Sequence, residues 1–218
     1  MSVKTYSKKT QGSIQLSNNF KVSEFACRDG SDCVLIDELL PAYLQGIRNY
    51  FGKAVTVNSG YRTAAYNTKV GGAKKSNHVK GMAADIAIYR ITPAEVAKVV
   101  ETMGLKGVGK YNTFTHVDTR TSKAFWLSEK EIPTSSLGCY SPPSGNVRQG
   151  DNGSSIKWLQ INLKAHGFDC GMMDGAFGPN TCTMVKSFQK ARRLTADGIV
   201  GKITRAALLD YLALIIRR

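Results

Sequence analysis

An α+β domain with a small, mostly antiparallel sheet, followed by an all-α domain of three helices, is the fold that this sequence predicts. Three observations carry the prediction. Over residues 1–132, strand-like and helix-like segments follow one another without the regular alternation that a parallel sheet requires. Residues 133–146, PTSSLGCYSPPSGN, are rich in Pro, Ser and Gly and have no periodicity, which is the composition of a linker. Residues 147–218 carry one pattern twice, D-G-x-[FV]-G-x-x-T, each time ahead of a helical stretch. The division that follows is 1–132, a linker at 133–146, and 147–218.

The elements are justified in order. Residues 1–20 carry weak strand signals and polar turns. Asp37 to Phe51 reads as a helix, because Leu40, Leu44, Ile47 and Phe51 fall on one face and Gly52 follows as a stop. Pro41 falls in its first turn, where a missing N–H costs nothing. Lys53 to Asn58 alternates and is β-branched, so it reads as a strand; it runs into SGYRTAAYN, Ser59 to Asn67. Gly71-Gly72 marks a loop, and the apolar run Met82 to Ile88 reads as a short buried strand. Thr92-Pro93-Ala94-Glu95 has the form of a capping box with Pro at the first helical position, predicting a helix to about Met103, ended by Gly104. Gly107 to Gly109 and Thr113 to Thr119 give the last strand signals.

In the second domain Ile156, Leu159 and Leu163 share a helical face, and Gly167 ends that helix. Asp174 to Thr181 leads into CTMVKSFQKARR, with Val185 and Phe188 inward, and Asp197 to Thr204 leads into RAALLDYLALII. Each repeat reads as a tight Asp-Gly turn feeding a helix start, with Gly where positive φ is needed. That is a structural motif, so neither Asp174 nor Asp197 is assigned to catalysis.

The net charge of +14 attracts polyanions, whether nucleic acid, anionic lipid or an anionic cell wall. No helix-turn-helix pattern and no basic run interleaved with aromatics is present, so nucleic acid is not expected as a partner. The N-terminus has charge but no apolar core of a secretory signal, and no apolar run is long enough to span a bilayer. Five Cys cannot all pair within one chain; Cys27 with Cys33, or Cys170 with Cys182, could close small loops, and free thiols are the default expectation.

The chemistry centres on Ser76 to Ile88, SNHVKGMAADIAI. Asp85 stands in an apolar strand, where a carboxylate is costly to bury unless something pairs with it. One reading is a structural Asp held by backbone donors or an Arg. The other draws on His78, seven residues earlier, and on the strand Phe114 to Asp118, in which His116 and Asp118 share a face. His78, Asp85 and His116 make a two-nitrogen, one-oxygen set. Three protein ligands leave a fourth zinc position open for water, the pattern of a catalytic and not a structural site. His166, the third His, has no partner acid or Cys at ligand spacing and reads as a surface residue at a helix end.

SGYRT, then S-x-H-x-x-G-x-A-x-D (Ser76, His78, Gly81, Ala83, Asp85), then the HVD of His116 to Asp118, resemble the zinc D-alanyl-D-alanine carboxypeptidase and L-alanyl-D-glutamate peptidase family. The upstream NFKVSEFAC, Asn19 to Cys27, is similar to the start of that domain, and the resemblance covers roughly residues 15–130. Members cut peptidoglycan stem peptides, and several are phage endolysins. The resemblance implies that His78, Asp85 and His116 bind Zn2+. It also implies that Arg62 contacts substrate or the developing oxyanion, and that Ser76 supports the site by hydrogen bonding. Tyr61 and Trp126 are candidates to wall the cleft, Tyr61 on the substrate side with Arg62 and Ser76; core packing is the alternative for each. Some members carry a Glu three residues before the last His, or a His two before it. Thr113 and Phe114 stand at those positions and neither can act as a base. Asp118 is then the candidate general base, with a ligand-orienting carboxylate as the alternative.

LQ at 159–160, DGAFGPNT, FQ at 188–189 and DGIVGKIT together resemble the small three-helix peptidoglycan-binding domain found beside wall hydrolases, over about residues 147–212. The resulting expectation is a monomeric zinc peptidase acting on peptidoglycan, without nucleic-acid partners or membrane insertion. It would be a phage or prophage endolysin made without a signal peptide and acting on the wall after release. The rival is a non-catalytic wall-binding protein built on a decayed peptidase.

Overall fold

The computed structural model describes residues 2–127, 132–134 and 136–216. An N-terminal layer comes first: β1 (Val3–Ser7), the single turn α1 (Lys8–Gln11), β2 (Gln15–Ser17), β3 (Phe20–Lys21), a 3-10 turn at Val22–Phe25, and β4 (Cys33–Asp37). β1 pairs antiparallel with β4, and β2 with β3. Then follow α2 (Leu39–Phe51), β5 (Val55–Ser59), α3 (Ala64–Lys69), β6 (Ala83–Ile88), α4 (Pro93–Thr102), β7 (Gly107–Lys110), β8 (Thr115–Asp118), β9 (Ala124–Leu127) and β10 (Ile132–Thr134). Strands β5 to β10 form one sheet in the order β10-β9-β7-β8-β6-β5, antiparallel except for the β7–β9 pair. Helices α5 (Ser154–Ala165), α6 (Pro179–Ala191) and α7 (Lys202–Leu208), with a 3-10 turn at Tyr211–Leu214, complete the chain. The architecture is the α+β domain with a small, mostly antiparallel sheet and the helical domain that the sequence predicts.

Local chemistry explains the helix ends. Asp37 Oδ1 accepts the Leu39 N–H at 2.9 Å, and Gly52 closes α2 with φ of 61°. Thr92 Oγ1 accepts the Glu95 N–H while Glu95 Oε2 accepts the Thr92 N–H, the reciprocal pair that a capping box supplies. α2 buries Leu40, Leu44 and Ile47 in the main core with Val96 and Val100 of α4, against Ile86 and Val117 from the sheet.

Within SGYRTAAYN, Thr63 caps α3 by accepting the Tyr66 N–H at 3.1 Å. Three expectations need correction. The stretch read as a linker from 133 begins inside β10, and its next part is tied to α4. Glu101 accepts the Leu137 N–H at 2.6 Å, Thr102 Oγ1 accepts the Tyr140 N–H at 3.1 Å, and Lys98 Nζ donates to the Tyr140 hydroxyl. The last helix stops at Leu208 instead of running on to 216. The chain turns there so that Tyr211, fully buried, stacks on Tyr43 with ring centroids 4.6 Å apart. A Cβ at Gly46 would lie 2.7 Å from the Tyr211 ring, so α2 needs glycine there to admit it. Finally, His166 is at a helix end but buried: its Nε2 donates to the Leu208 carbonyl at 2.9 Å, Arg192 donates to its Nδ1, and its ring stacks on Tyr211.

The second domain has its own core around Ile156, Leu159, Phe177, Val185 and Phe188, while Ile161, Ala165 and Tyr211 join the core of the first. The repeat is stapled by two glutamines. Gln160 donates to Asp174 Oδ1 and the Ala176 carbonyl and accepts the Gly175 N–H; Gln189 does the same with Asp197, Ile199 and Gly198. All five cysteines are free thiols, and no helix among the described residues is long and apolar enough to cross a membrane.

Candidate metal centre

Antiparallel pairing of β6 with β8 sets Asp85 directly opposite His116, so the two side chains stand on one face of the sheet. His78 arrives from the turn before β6. That turn is fixed by Gly81, whose φ is 71° and whose missing Cβ would strike the Leu35 carbonyl. Ser76 Oγ accepts the His78 N–H at 3.3 Å, and His78 Nδ1 bonds the Gly60 carbonyl at 2.7 Å.

These contacts fix the tautomers. A carbonyl can only accept, so His78 Nδ1 carries the hydrogen and Nε2 a lone pair. His116 Nε2 lies 3.1 Å from Asp118 Oδ2 and donates to it, which leaves the lone pair on Nδ1. Nε2 of His78, Nδ1 of His116 and Oδ1 of Asp85 then face one another at 3.2, 3.2 and 2.9 Å. Three converging acceptors repel unless a proton or a cation lies among them. With protein alone, a proton takes that place. Burial would lower the pKa of His116, but its bonds to Asp118 and Asp85 outweigh burial and raise it to about 9. Burial dominates at His78 and lowers its pKa; at Asp85, the two imidazoles overcome burial and hold the carboxyl well below the usual range. The donor set fits a divalent metal, and these are the residues that would hold it.

The three donors lie at the foot of a cavity of about 960 Å3. Arg62 lines it and donates from Nη2 to Asp85 Oδ2 at 2.5 Å and from Nε to Ser59 Oγ at 2.8 Å. Ser76 and Trp126 line it as well. Tyr111 and Phe114 form a stacked pair with centroids 4.3 Å apart on its wall, and Tyr111 accepts from Trp126 Nε1.

Two candidate residues stand off the cavity lining. Tyr61 does not line the cavity; its ring packs against the N-terminal part of the core, and its N–H donates to the Phe25 carbonyl. Asp118 shares a strand face with His116, as its spacing implies, but stands behind the imidazole. It is fully buried, absent from the cavity lining, and bonded to His116 and to the N–H, Nε and Nη2 of Arg120. A carboxylate so placed meets the imidazole and not the cavity. Spacing gave the face but not which ring nitrogen would meet which partner.

Sequence reasoning missed Arg120, which braces Asp118 and lies over the Trp126 ring, and the cavity lysines Lys75 and Lys123. It also missed why β7 reads Gly107-Val108-Gly109. A Cβ at 107 would collide with the Asp118 carboxylate and one at 109 with the Trp126 indole. Glycine at alternate positions of a strand was the available signal for close approach on that face.

Residues 18–118 match the Peptidase M15 family, and residues 152–208 match the putative peptidoglycan binding domain. An uncharacterized protein of Kitasatospora aureofaciens is 39% identical over 80 residues, 36% of this chain and 67% of that one. The zinc D-Ala-D-Ala carboxypeptidase of Streptomyces albus G is 39% identical over 69 residues, 31% of this chain and 27% of that one. The peptidoglycan L,D-endopeptidase MepK of Escherichia coli (strain K12) is 39% identical over 74 residues, 31% of this chain and 41% of that one. The chain thus spans 67% of the first relative and under half of the other two.

Proposed function

We propose, for a chain that belongs to the Peptidase M15 family and joins a peptidoglycan-binding domain to it, that it hydrolyses stem or cross-link peptides of bacterial peptidoglycan with a zinc ion held by His78, Asp85 and His116. The observation that carries this reading is the convergence of three acceptors, all within 4.8 Å of one another, at the foot of an open cavity. Two imidazoles and a carboxylate suit zinc, and three protein ligands leave one position for water or substrate. Zinc bound there supplies a Lewis acid for the scissile carbonyl and an acidified water.

The chain's own residues do the rest. Arg62 pairs with Asp85 and faces the cavity, where its guanidinium can clamp a substrate carboxylate or offset charge developing on the carbonyl oxygen. Ser76 fixes the turn that presents His78. Asp118 is a positioning residue: it holds the His116 hydrogen on Nε2 so that Nδ1 points at the metal. Residues 147–218 hold the enzyme on its insoluble substrate and raise its local concentration. The net charge of +14 favours an anionic wall, and a phage or prophage lysin is the role that we assign.

Digestion of purified sacculi followed by mass spectrometry tests the reading. The expected products have new peptide termini and intact glycan strands; chelation stops their release and added zinc restores it. Undiminished lysis in a rigorously metal-free sample, or cuts confined to the glycan, would overturn it. Wall binding with no cleavage at saturating zinc would leave only the non-catalytic alternative.

A further inference from the structure

The cavity above the metal centre is charged on one side of the ledger only. Among the described residues, its lining holds four basic side chains, Arg62, Lys75, Arg120 and Lys123, and one carboxylate, Asp85. Asp85 is already engaged by Arg62 and both imidazoles. Asp118, the next carboxylate, is sealed behind His116 and Arg120. The lining therefore carries a positive field before any metal adds to it, and a concave, partly desolvated wall focuses such a field.

The two lysines are placed apart. Lys75 lies on the loop that delivers His78, while Lys123 directly precedes β9. β9 is two strand steps from β8, across β7, and Trp126 is level with His116, so Lys123 is offset by about 10 Å across the sheet and about 10 Å along it, about 14 Å in all. An extended peptide rises about 3.3 Å per residue, so Lys123 sits about four residues from the bond held at the metal centre. Both lysines are exposed, with compact ammonium groups on flexible stems, suited to meeting a carboxylate without a fixed geometry.

Resting on the peptidase reading, we propose that this cleft selects stem peptides whose carboxylates are free over those in which they are amidated, and that Lys75 and Lys123 read that charge. Free and amidated carboxyl groups have nearly the same shape, so charge is what separates them. Lys75 and Lys123 are specificity residues and take no part in bond cleavage.

The test uses the full-length, zinc-loaded protein and two synthetic stem peptides that differ only in free or amidated carboxylates. A second arm measures binding of both peptides to chelator-treated protein by titration calorimetry. The free-acid peptide is expected to show a KM lower by about three- to tenfold at low salt, the scale of two exposed charge pairs, with kcat little changed. Raising the salt should shrink the difference. The double variant K75A/K123A should lose it while keeping its zinc and its turnover of the amidated peptide. The double variant K8A/K9A removes an equal charge from α1, outside the cavity lining, and should keep the preference. Equal KM for the two peptides in the wild-type protein, or equal losses in K8A/K9A and in K75A/K123A, would overturn the proposal while leaving the peptidase reading intact. Failure to cut either peptide at saturating zinc, with sacculi also uncut, would remove the peptidase reading and this inference with it.

Discussion

Around Gln160 and Gln189, each buried amide has its donor and acceptor sides engaged by the turn that it closes. Around His78, Asp85 and His116, equally buried, three acceptors face one another instead. Both clusters are polar side chains within the fold, and both are drawn from separate elements. The glutamine clusters close on themselves and stabilise their turns. The histidine cluster closes only around something the chain does not supply. A polar cluster whose hydrogen bonds cannot be completed from within marks a ligand site; one whose bonds are complete marks structure.

The largest effect that tests this contrast comes from the open cluster. His78→Ala or Asp85→Ala should abolish zinc binding and wall lysis, a greater loss than the 10–100-fold in metal affinity typical of an orienting group. The metal-free protein should nonetheless stay folded, because the core around Leu44, Ile86 and Val117 is untouched. Elemental analysis, lysis of sacculi and thermal melting read the three quantities. A variant that retains stoichiometric zinc would show that the ligands lie elsewhere.

Asp118 comes next. Asp118→Asn keeps the shape and weakens the hold on His116 Nε2. The expected outcome is about 10–100-fold weaker zinc affinity, with turnover largely recovered at saturating zinc. Turnover reduced by roughly 10²–10⁴ with zinc still bound would instead make Asp118 the proton carrier, against its burial behind the imidazole.

In the closed clusters the cost should fall on folding. Gln160→Leu leaves the Gly175 N–H without its partner and the Ala176 carbonyl with only the long bond from Thr181, and Gln189→Leu does the same at Gly198 and at Ile199, which keeps Thr204. Each should lower stability by about 2–3 kcal/mol in denaturant titration, the scale of a lost buried hydrogen-bond set, with zinc content unchanged. Equal midpoints for variant and wild type would show that the staples contribute nothing.

The sequence was most informative where local rules act alone. The capping box at Thr92–Glu95, the α2 stripe and the Asp-Gly turns depend on neighbours in the chain, and all three formed as read. Asp85 in its apolar strand was also readable, because a buried carboxylate always needs a partner. The misses depend on tertiary placement. β10 lies in a stretch of Pro and Ser whose composition says linker, yet β9 offers an edge for it to pair with. α7 stops early because Tyr211 finds Tyr43 and the gap at Gly46 in the other domain. Asp118 was put on the right face, but its place behind the imidazole was not readable, since alternation along a strand cannot say which side of an imidazole a carboxylate will take.

His166 sharpens the comparison further, because it is a buried histidine of the closed kind. Its Nε2 donates to Leu208 and its Nδ1 accepts from Arg192, so the neutral ring is fully engaged and a second proton would face a guanidinium. Burial, with Arg192 adding to it, depresses the pKa to about 4 from an ordinary 6.5, although the Leu208 carbonyl opposes the shift. The sign follows. Between pH 6.5 and 4 the unfolded chain binds this proton and the folded chain does not, so acid favours unfolding. The stability contributed by His166 is complete above about pH 6.5, declines as pH falls toward 4, and is lost below it. A shift of this size corresponds to about 3 kcal/mol at most. His166→Gln keeps an N–H donor for Leu208 and cannot titrate. Denaturant midpoints measured from pH 7 to pH 4 should fall less steeply in the variant than in the wild type. Subtracting the two curves removes the shared contribution of the carboxylates. Parallel curves would mean that the His166 ring takes up its second proton as readily in the folded chain as in the unfolded one, and the distinction between closed and open histidines would fail at this residue.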